Sequence, residues 1–401
     1  MTKPLSFKLL FLFAFIAIIP VTLSAQSSGH KVNPEIWVRP GYQLTIAVNS
    51  PVTVRHMCLG PDGTLYYGTG RNDAIMAAKD KNHDGYYETL TQFYKAKSAV
   101  TGLYWHDGYL WCAESGTIYK VKDTNNDGVA DQQDVVLPVG SLPYGGAHHY
   151  RPVLIHKGVL YTALGDAGNA TDMTKTDREK IWTYSLEGKD KQLWSSGIRN
   201  TEKLVVRPGT DEIWGMDHGS DNFGVPVGDS PGDQPITDYN PPGEMNKYVK
   251  GGFYGHPFLI GNRVPRYEYM KRPDLIALAD STIVPEWCSG AHWAPCGMMF
   301  YTGDQFPSDI KGDAFVAYHG SWNRTVKAGY QVTRVLFENG HPYGELPFVK
   351  FLTDSQKVLG RPVDVIQAPD GTILISDDGN QTVDGYKENN VYRLKYVGDK
   401  K

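Results

Sequence analysis

Three short runs carry side chains whose types suit chemistry on an alcohol. The first is Ser195-Ser196-Gly197-Ile198-Arg199-Asn200, set directly before the apolar Leu204-Val205-Val206. The Arg199 guanidinium is a planar fork of donors that fits a carboxylate or a quinone oxygen. Asn200 beside it can both donate and accept. The second run is Gly145-Gly146-Ala147-His148-His149-Tyr150-Arg151. A neutral imidazole near pH 7 is the natural base for an alcohol proton. Adjacent side chains on an extended segment face opposite ways, so only one of His148 and His149 is expected to reach a shared site. The third is Met216-Asp217-His218-Gly219-Ser220-Asp221-Asn222, followed later by Glu244-Met245-Asn246 and Gly252-Phe253-Tyr254-Gly255-His256-Pro257. Carbonyls beside glycine, with carboxylates near them, are hard oxygen ligands that suit calcium. Further donors and flat rings lie in Trp287-Cys288-Ser289-Gly290-Ala291-His292-Trp293, in Tyr318-His319-Gly320-Ser321-Trp322-Asn323-Arg324 and at Arg361. Taken singly, each run also reads as a solvated turn, an acidic loop or a buried structural histidine.

What would bring them together is a recurring unit: a turn followed by a β-rich strand. Gly60-Pro61-Asp62-Gly63 leads into Leu65-Tyr66-Tyr67-Gly68, and His106-Asp107-Gly108 into Tyr109-Leu110-Trp111-Cys112. Equivalent units begin at His156, Arg207, Lys311 and Pro369, which makes six. Asp-Gly-type turns before such strands are hairpin signals. A spacing of roughly 45 to 60 residues is in the range of propeller blades. The expectation is an all-β, six-bladed β-propeller over residues 35–399, with an inserted loop region at about 221–287 in the one double-length gap. Such a ring converges distant residues on one funnel. The loop Gly165-Asp166-Ala167-Gly168-Asn169 is expected at the opposite rim.

The chain has 401 residues, 25 of them tyrosine, and a net charge of −4. That charge speaks against nucleic acid or an anionic membrane surface as partner. Lys3 and Lys8, the apolar run from Leu9 to Ile19 and Ala25 read as a signal peptide over residues 1–25, with a linker at 26–34. An uncleaved anchor is the alternative, and either implies export to the periplasm or beyond. No other segment is expected to cross a membrane. Cys288 and Cys296 could bridge a loop, whereas Cys58 and Cys112 read as buried small hydrophobes. Asp80-Lys81-Asn82-His83-Asp84-Gly85 and Asp123-Thr124-Asn125-Asn126-Asp127-Gly128 match the first half of a calcium loop but lack Glu at the twelfth position. A hairpin turn is the plainer reading, with weak calcium binding as the alternative.

Read in order, GGAHHYR, LYTALGDAGN, SSGIRN, DHG, GEMN with GGFYGHP, HWAPCGMMFYTGDQFP, HGSWNR, GRPVDV, SDD and YRLKY resemble the sugar dehydrogenases that use pyrroloquinoline quinone. Soluble glucose dehydrogenase and the sorbosone dehydrogenases are of this type. The resemblance runs from Arg55 to Tyr396. It implies a six-bladed propeller that oxidises an aldose or related sugar or polyol and passes electrons to a cytochrome or quinone. It implies that His148 is the catalytic base, with His149 as the substitute, and that Arg199 and Asn200 hold the quinone oxygens. Gly219 and Ser220 would offer carbonyls to Ca2+. Arg361 would bind a cofactor carboxylate, and Arg55, Trp287, His292, His319, Trp322 and Asn323 would complete the cofactor contacts. The chain departs from the pattern where a lysine gives way to Tyr318-His319, a second arginine to Val363 and a proline to Ser220. Arg151, Arg324 or His319 would then have to compensate. The rival readings are a calcium-dependent lactonase, which needs a deep carboxylate and Asn site, and a non-catalytic sugar- or protein-binding propeller.

Overall fold

The computed structural model describes residues 31–70, 72–379 and 388–398. The signal segment, most of the linker and Asn380 lie outside them. Among the described residues no helix is long and apolar enough to cross a membrane.

Six antiparallel sheets form the blades of a propeller. Their first two strands are Met57–Leu59 and Leu65–Gly68 in blade one, and Gly102–His106 and Tyr109–Glu114 in blade two. Blade three opens with Leu154–His156 and Val159–Leu164, and blade four with Thr201–Val206 and Ile213–Asp217. Blade five opens with Pro295–Phe300 and Ala314–Tyr318, and blade six with Pro362–Gln367 and Ile373–Asp377. All six turn-and-strand units of the sequence are therefore second strands. Their residues are almost wholly buried because both faces are covered by neighbouring blades. The ring is closed by the N-terminal strand Tyr42–Asn49, which pairs with Asn390–Tyr396 as the outer strand of blade six.

Six apolar clusters hold the ring, one at each interface between blades. Leu65 and Tyr67 of blade one meet Leu374 and Val391 of blade six, for example. Met299 and Phe315 of blade five meet Val365 and Ile373 on the other side of blade six. Each buried side chain of this size contributes about 1.5–3 kcal/mol of transfer free energy.

Within residues 221–287, Glu244–Tyr248 returns as the third strand of blade four and Trp287–Cys288 is its fourth. Gly252–Phe253 adds a parallel strand to blade three. The remaining chain holds two short helices, Gln234–Thr237 and Leu275–Ser281, and a small two-stranded ribbon.

The two Asp-Asn-Asp-Gly loops join the third and fourth strands of blades one and two. Asp80 Oδ2 accepts the Gly85 N–H and Asp123 Oδ2 the Gly128 N–H, both at 2.8 Å, so each carboxylate ties its own turn. The four cysteines are free. The Cys288–Cys296 bridge is not formed: Cys288 is exposed on the outer strand of blade four, whereas Cys296 is buried in the first strand of blade five.

Candidate active site at the polar end of the ring axis

In an antiparallel pair, the start of the first strand and the end of the second lie at the same end of the blade. This rule gathers the polar runs. Arg55, Arg199-Asn200 and Arg361 precede first strands, while His218-Gly219, His319-Gly320 and Asp378 follow second strands. All of these but Asp378 line a cavity of about 210 Å3, which is also lined by His148, Tyr150, Glu202, Asp221, His292, Trp293, Cys296 and Trp322.

The Arg-Asn turn is held by its neighbour strand. Asp217, the last residue of the second strand of blade four, accepts the N–H groups of Arg199 at 2.7 Å and Asn200 at 2.6 Å. Blade six repeats the device, with Asp377 Oδ1 accepting the Arg361 N–H at 2.7 Å. Such charge-assisted bonds fix backbone geometry more firmly than neutral ones. Arg199 donates through Nε to the Asn169 carbonyl at 2.7 Å and through Nη2 to Asn169 Oδ1 at 3.0 Å. The loop that carries Asn169 therefore folds over this end of the ring. It does not lie at the opposite rim, because Asp166 N donates to the Arg199 carbonyl at 2.9 Å. Gly165 permits that approach: a Cβ there would stand 2.7 Å from Arg199 O and 2.8 Å from His148 Cβ.

His148 is buried, and its Nδ1 lies 2.8 Å from the Asp166 carbonyl. A carbonyl only accepts, so Nδ1 carries the proton and Nε2 keeps its lone pair. Burial, then Arg199 and His218, hold its pKa well below the ordinary imidazole value, so the ring stays neutral. A neutral imidazole with a free Nε2 at a cavity is equipped to take a proton from a bound hydroxyl.

Two carboxylates organise the cations: Glu202, which no motif contained, and Asp378, the last residue of the SDD run. Arg55 spans Glu202 Oε2 at 2.8 Å and Asp378 Oδ2 at 2.7 Å, 323 residues away in sequence, with Tyr150 stacked over its guanidinium. Burial works to raise the pKa of Glu202, but Arg55, His56 and His218 pull it well below the carboxylate range. Arg361, in contrast, donates among the described residues to the carbonyls of His319 and Gly320, lies over the Tyr330 ring and forms no ion pair. Its charge is available to a ligand. Burial and Arg361 push His319 down to about 3. Two buried polar atoms at or beside the cavity, Arg55 Nε and Asp378 Oδ1, have no hydrogen-bond partner among the described residues, while His218 Nε2 faces Glu202 at 3.6 Å and His319 Nε2 faces Asp378 at 3.7 Å. Unpartnered groups of this kind are rare in folded proteins and point to a polar ligand.

Of the other expected residues, His292 lines the cavity and is oriented by the Thr237 carbonyl and Asp221. Trp322 stands at its rim, 74% exposed. His149 turns away, with its ring stacked on Tyr150 and Nδ1 near the Gly146 carbonyl, as alternation along an extended segment requires. Trp287 is also outside: it packs between blades four and five, and its Nε1 donates to Glu345. Asn323 donates to Asn222 Oδ1 at 2.9 Å beyond the cavity lining. Arg151 does not stand in for a missing cation, since it is spent on the carbonyls of Ser115, Pro143, His148 and Tyr150. Arg324 stacks on Tyr239 outside the cavity lining.

The motifs imply two groups, a calcium ion and a quinone that carries carboxylates. No hydrogen bond among the described residues reaches the carbonyl oxygens of Gly219 or Ser220. Pro241 and Pro242 carbonyls crowd the position where a Gly219 Cβ would be. Free, hard oxygens of this kind fit calcium at Gly219, whereas Ser220 is buried outside the cavity lining with its Oγ held by the Arg266 guanidinium. Arg361 and the unpartnered donors fit a flat polycarboxylate. Val363, in the place of a second arginine, is fully buried in blade six and offers nothing.

The sequence model of the TrAA12-like family matches residues 36–372. The fold is similar to a carbohydrate-active enzyme of family AA12 from Trichoderma reesei, with a TM-score of 0.78 at 16% identity over 92% of this chain and 100% of that one. It is similar to the PQQ domain of pyranose dehydrogenase from Coprinopsis cinerea in its holo form (TM-score 0.73, 16% identity, 90% and 97% covered). The soluble aldose sugar dehydrogenase of Escherichia coli in its apo form gives a TM-score of 0.62 at 16% identity, with 88% and 99% covered. An uncharacterized protein of Borreliella burgdorferi is 24% identical over 401 residues, 96% of this chain and 97% of its own length.

Proposed function

The chain belongs to the TrAA12-like family, and on that footing we propose that it is an exported quinoprotein dehydrogenase acting on an aldose or a related sugar or polyol. The observation that carries the reading is the pairing of His148 with Arg199 and Arg361 around one cavity. A proton acceptor meets there the Arg361 guanidinium, which forms no ion pair among the described residues, and Arg199, whose Nη2 lies 3.5 Å from Asp221. Pyrroloquinoline quinone, when bound, supplies the acceptor for the hydride, and Ca2+ at Gly219 a Lewis acid.

The chain's own groups have separate tasks. His148 Nε2 takes the hydroxyl proton. Arg199, fixed by Asn169 and Asp217, presents its charge where negative charge develops. Arg361, with His319 beside it, would orient a carboxylate of the cofactor, whereas His292, with both ring nitrogens engaged by Thr237 and Asp221, shapes the wall. Trp322 at the rim offers an apolar face to a sugar ring. Electrons then leave to an external cytochrome or quinone. The lactonase reading is disfavoured because Glu202, the carboxylate on the axis, is already bound to Arg55 and to Asn200 Nδ2 at 3.2 Å.

The test is dye reduction by apoprotein reconstituted with pyrroloquinoline quinone and calcium, over a panel of aldoses and polyols. Sugar-dependent reduction that needs both additions supports the reading. Absence of reduction with every sugar, while the quinone is bound, overturns it.

A further inference from the structure

Behind His148 lies a second cluster that the proposed reaction does not use. Asp166 follows the second strand of blade three, Glu179 precedes its third strand Lys180–Ser185, and His256 comes from the loop after Gly252–Phe253. They are 0%, 1% and 4% exposed. One ligand atom from each lies within 4.8 Å of the other two. His256 Nε2 is 3.1 Å from Asp166 Oδ2 and 3.6 Å from Glu179 Oε1. Ligand atoms around a cation with bonds of about 2.0–2.1 Å are separated by roughly 3.0–3.4 Å; the Asp166 spacing lies in that range, and the Glu179 carboxylate would have to close by a few tenths of an ångström to share the ion.

The charge also needs a partner. Among the described residues, His256 is the group that forms ion pairs with Asp166 and Glu179. Glu179 Oε2 is buried and without a hydrogen-bond partner. Burying two carboxylates against a single imidazole is costly unless positive charge is added, either an ion or a proton on Glu179, whose pKa burial and Asp166 raise to about 8.

We propose that Asp166, Glu179 and His256 form a buried site for a divalent first-row transition-metal ion, separate from the calcium position at Gly219. The imidazole ligand selects for zinc-like ions over calcium or magnesium, which prefer all-oxygen sets. The ion would brace the catalytic loop. The Asp166 carbonyl holds His148 Nδ1, and the Asp166 N–H holds the Arg199 carbonyl.

The test uses the full chain without quinone, refolded with Co2+ or Zn2+, dialysed and assayed for metal content, so it is independent of the dehydrogenase reading. One equivalent of Co2+ per chain, with visible d–d absorption that Zn2+ abolishes and excess Ca2+ does not, is the expected result. Glu179→Gln and His256→Gln, folded by circular dichroism, should each retain less than a tenth of an equivalent. Wild-type protein that takes up no cobalt overturns the proposal, whatever the variants do. So does full uptake in both variants, or displacement by calcium.

Discussion

The two regions along the ring axis share the first strands of blades one, four and six and the chain around them, yet differ in kind. At one end the strands begin, and the cavity of about 210 Å3 is lined by arginines, histidines and carboxylates. Past that point the strand bodies surround a larger cavity of about 370 Å3, lined by Met57, Leu59, Leu103, Leu154, Leu204 and Val206 among others. Glu202 lines both. Below it, His56 sits between Glu202 and Asp364, and Lys203 pairs with Asp364. The larger cavity offers apolar surface but neither a neutral base nor uncompensated guanidinium charge. The smaller one offers both. Chemistry follows the loops at strand starts, where backbone geometry frees side chains from the packing between blades.

The contrast can be broken in graded steps. His148→Ala at the polar end should lower kcat by about 10²–10⁴-fold with quinone affinity little changed, measured by steady-state dye reduction at saturating quinone. At the apolar end, Leu204→Ala should cost about 2–5 kcal/mol of stability in denaturant unfolding and leave kcat of the folded enzyme near wild type.

The ion network between the two ends should control acid stability. Burial acts to raise Asp364, but Lys203 and His56 hold its pKa at about 2. A carboxyl held below its unfolded value contributes stability above about pH 4 that is lost as pH falls toward 2, on the order of 2 kcal/mol. Lys203→Met should therefore shift the acid unfolding midpoint to higher pH. An unchanged midpoint would mean that the pair does not hold Asp364 down. The smallest effect is expected for His149→Ala and Trp287→Phe. Both should leave quinone affinity within a factor of two, since neither side chain lines the polar cavity.

The six second strands were legible because each is announced by an Asp-Gly-type turn and then runs apolar. The first strands carry no such mark, and Glu244–Tyr248 is separated from its partner Ile213–Asp217 by a polar loop that hides the pairing. Arg199, Asn200 and Arg361 were readable as polar residues set just before apolar runs. Trp287 and Asn323 were not separable from them by type, because only packing between blades decides which way an edge residue faces. Glu202 and Asp378 could not be read as partners of Arg55, since closing the ring is what joins positions 323 residues apart.

The most direct measurement is an equilibrium titration of the apoprotein with pyrroloquinoline quinone in the presence of calcium, for wild type and Arg361→Met. If the polar end holds the quinone, the lost charge-assisted contact of about 1.5–3 kcal/mol should weaken binding by roughly 10–150-fold. Equal affinity of the two proteins, or loss of binding in Leu204→Ala instead, would contradict the account.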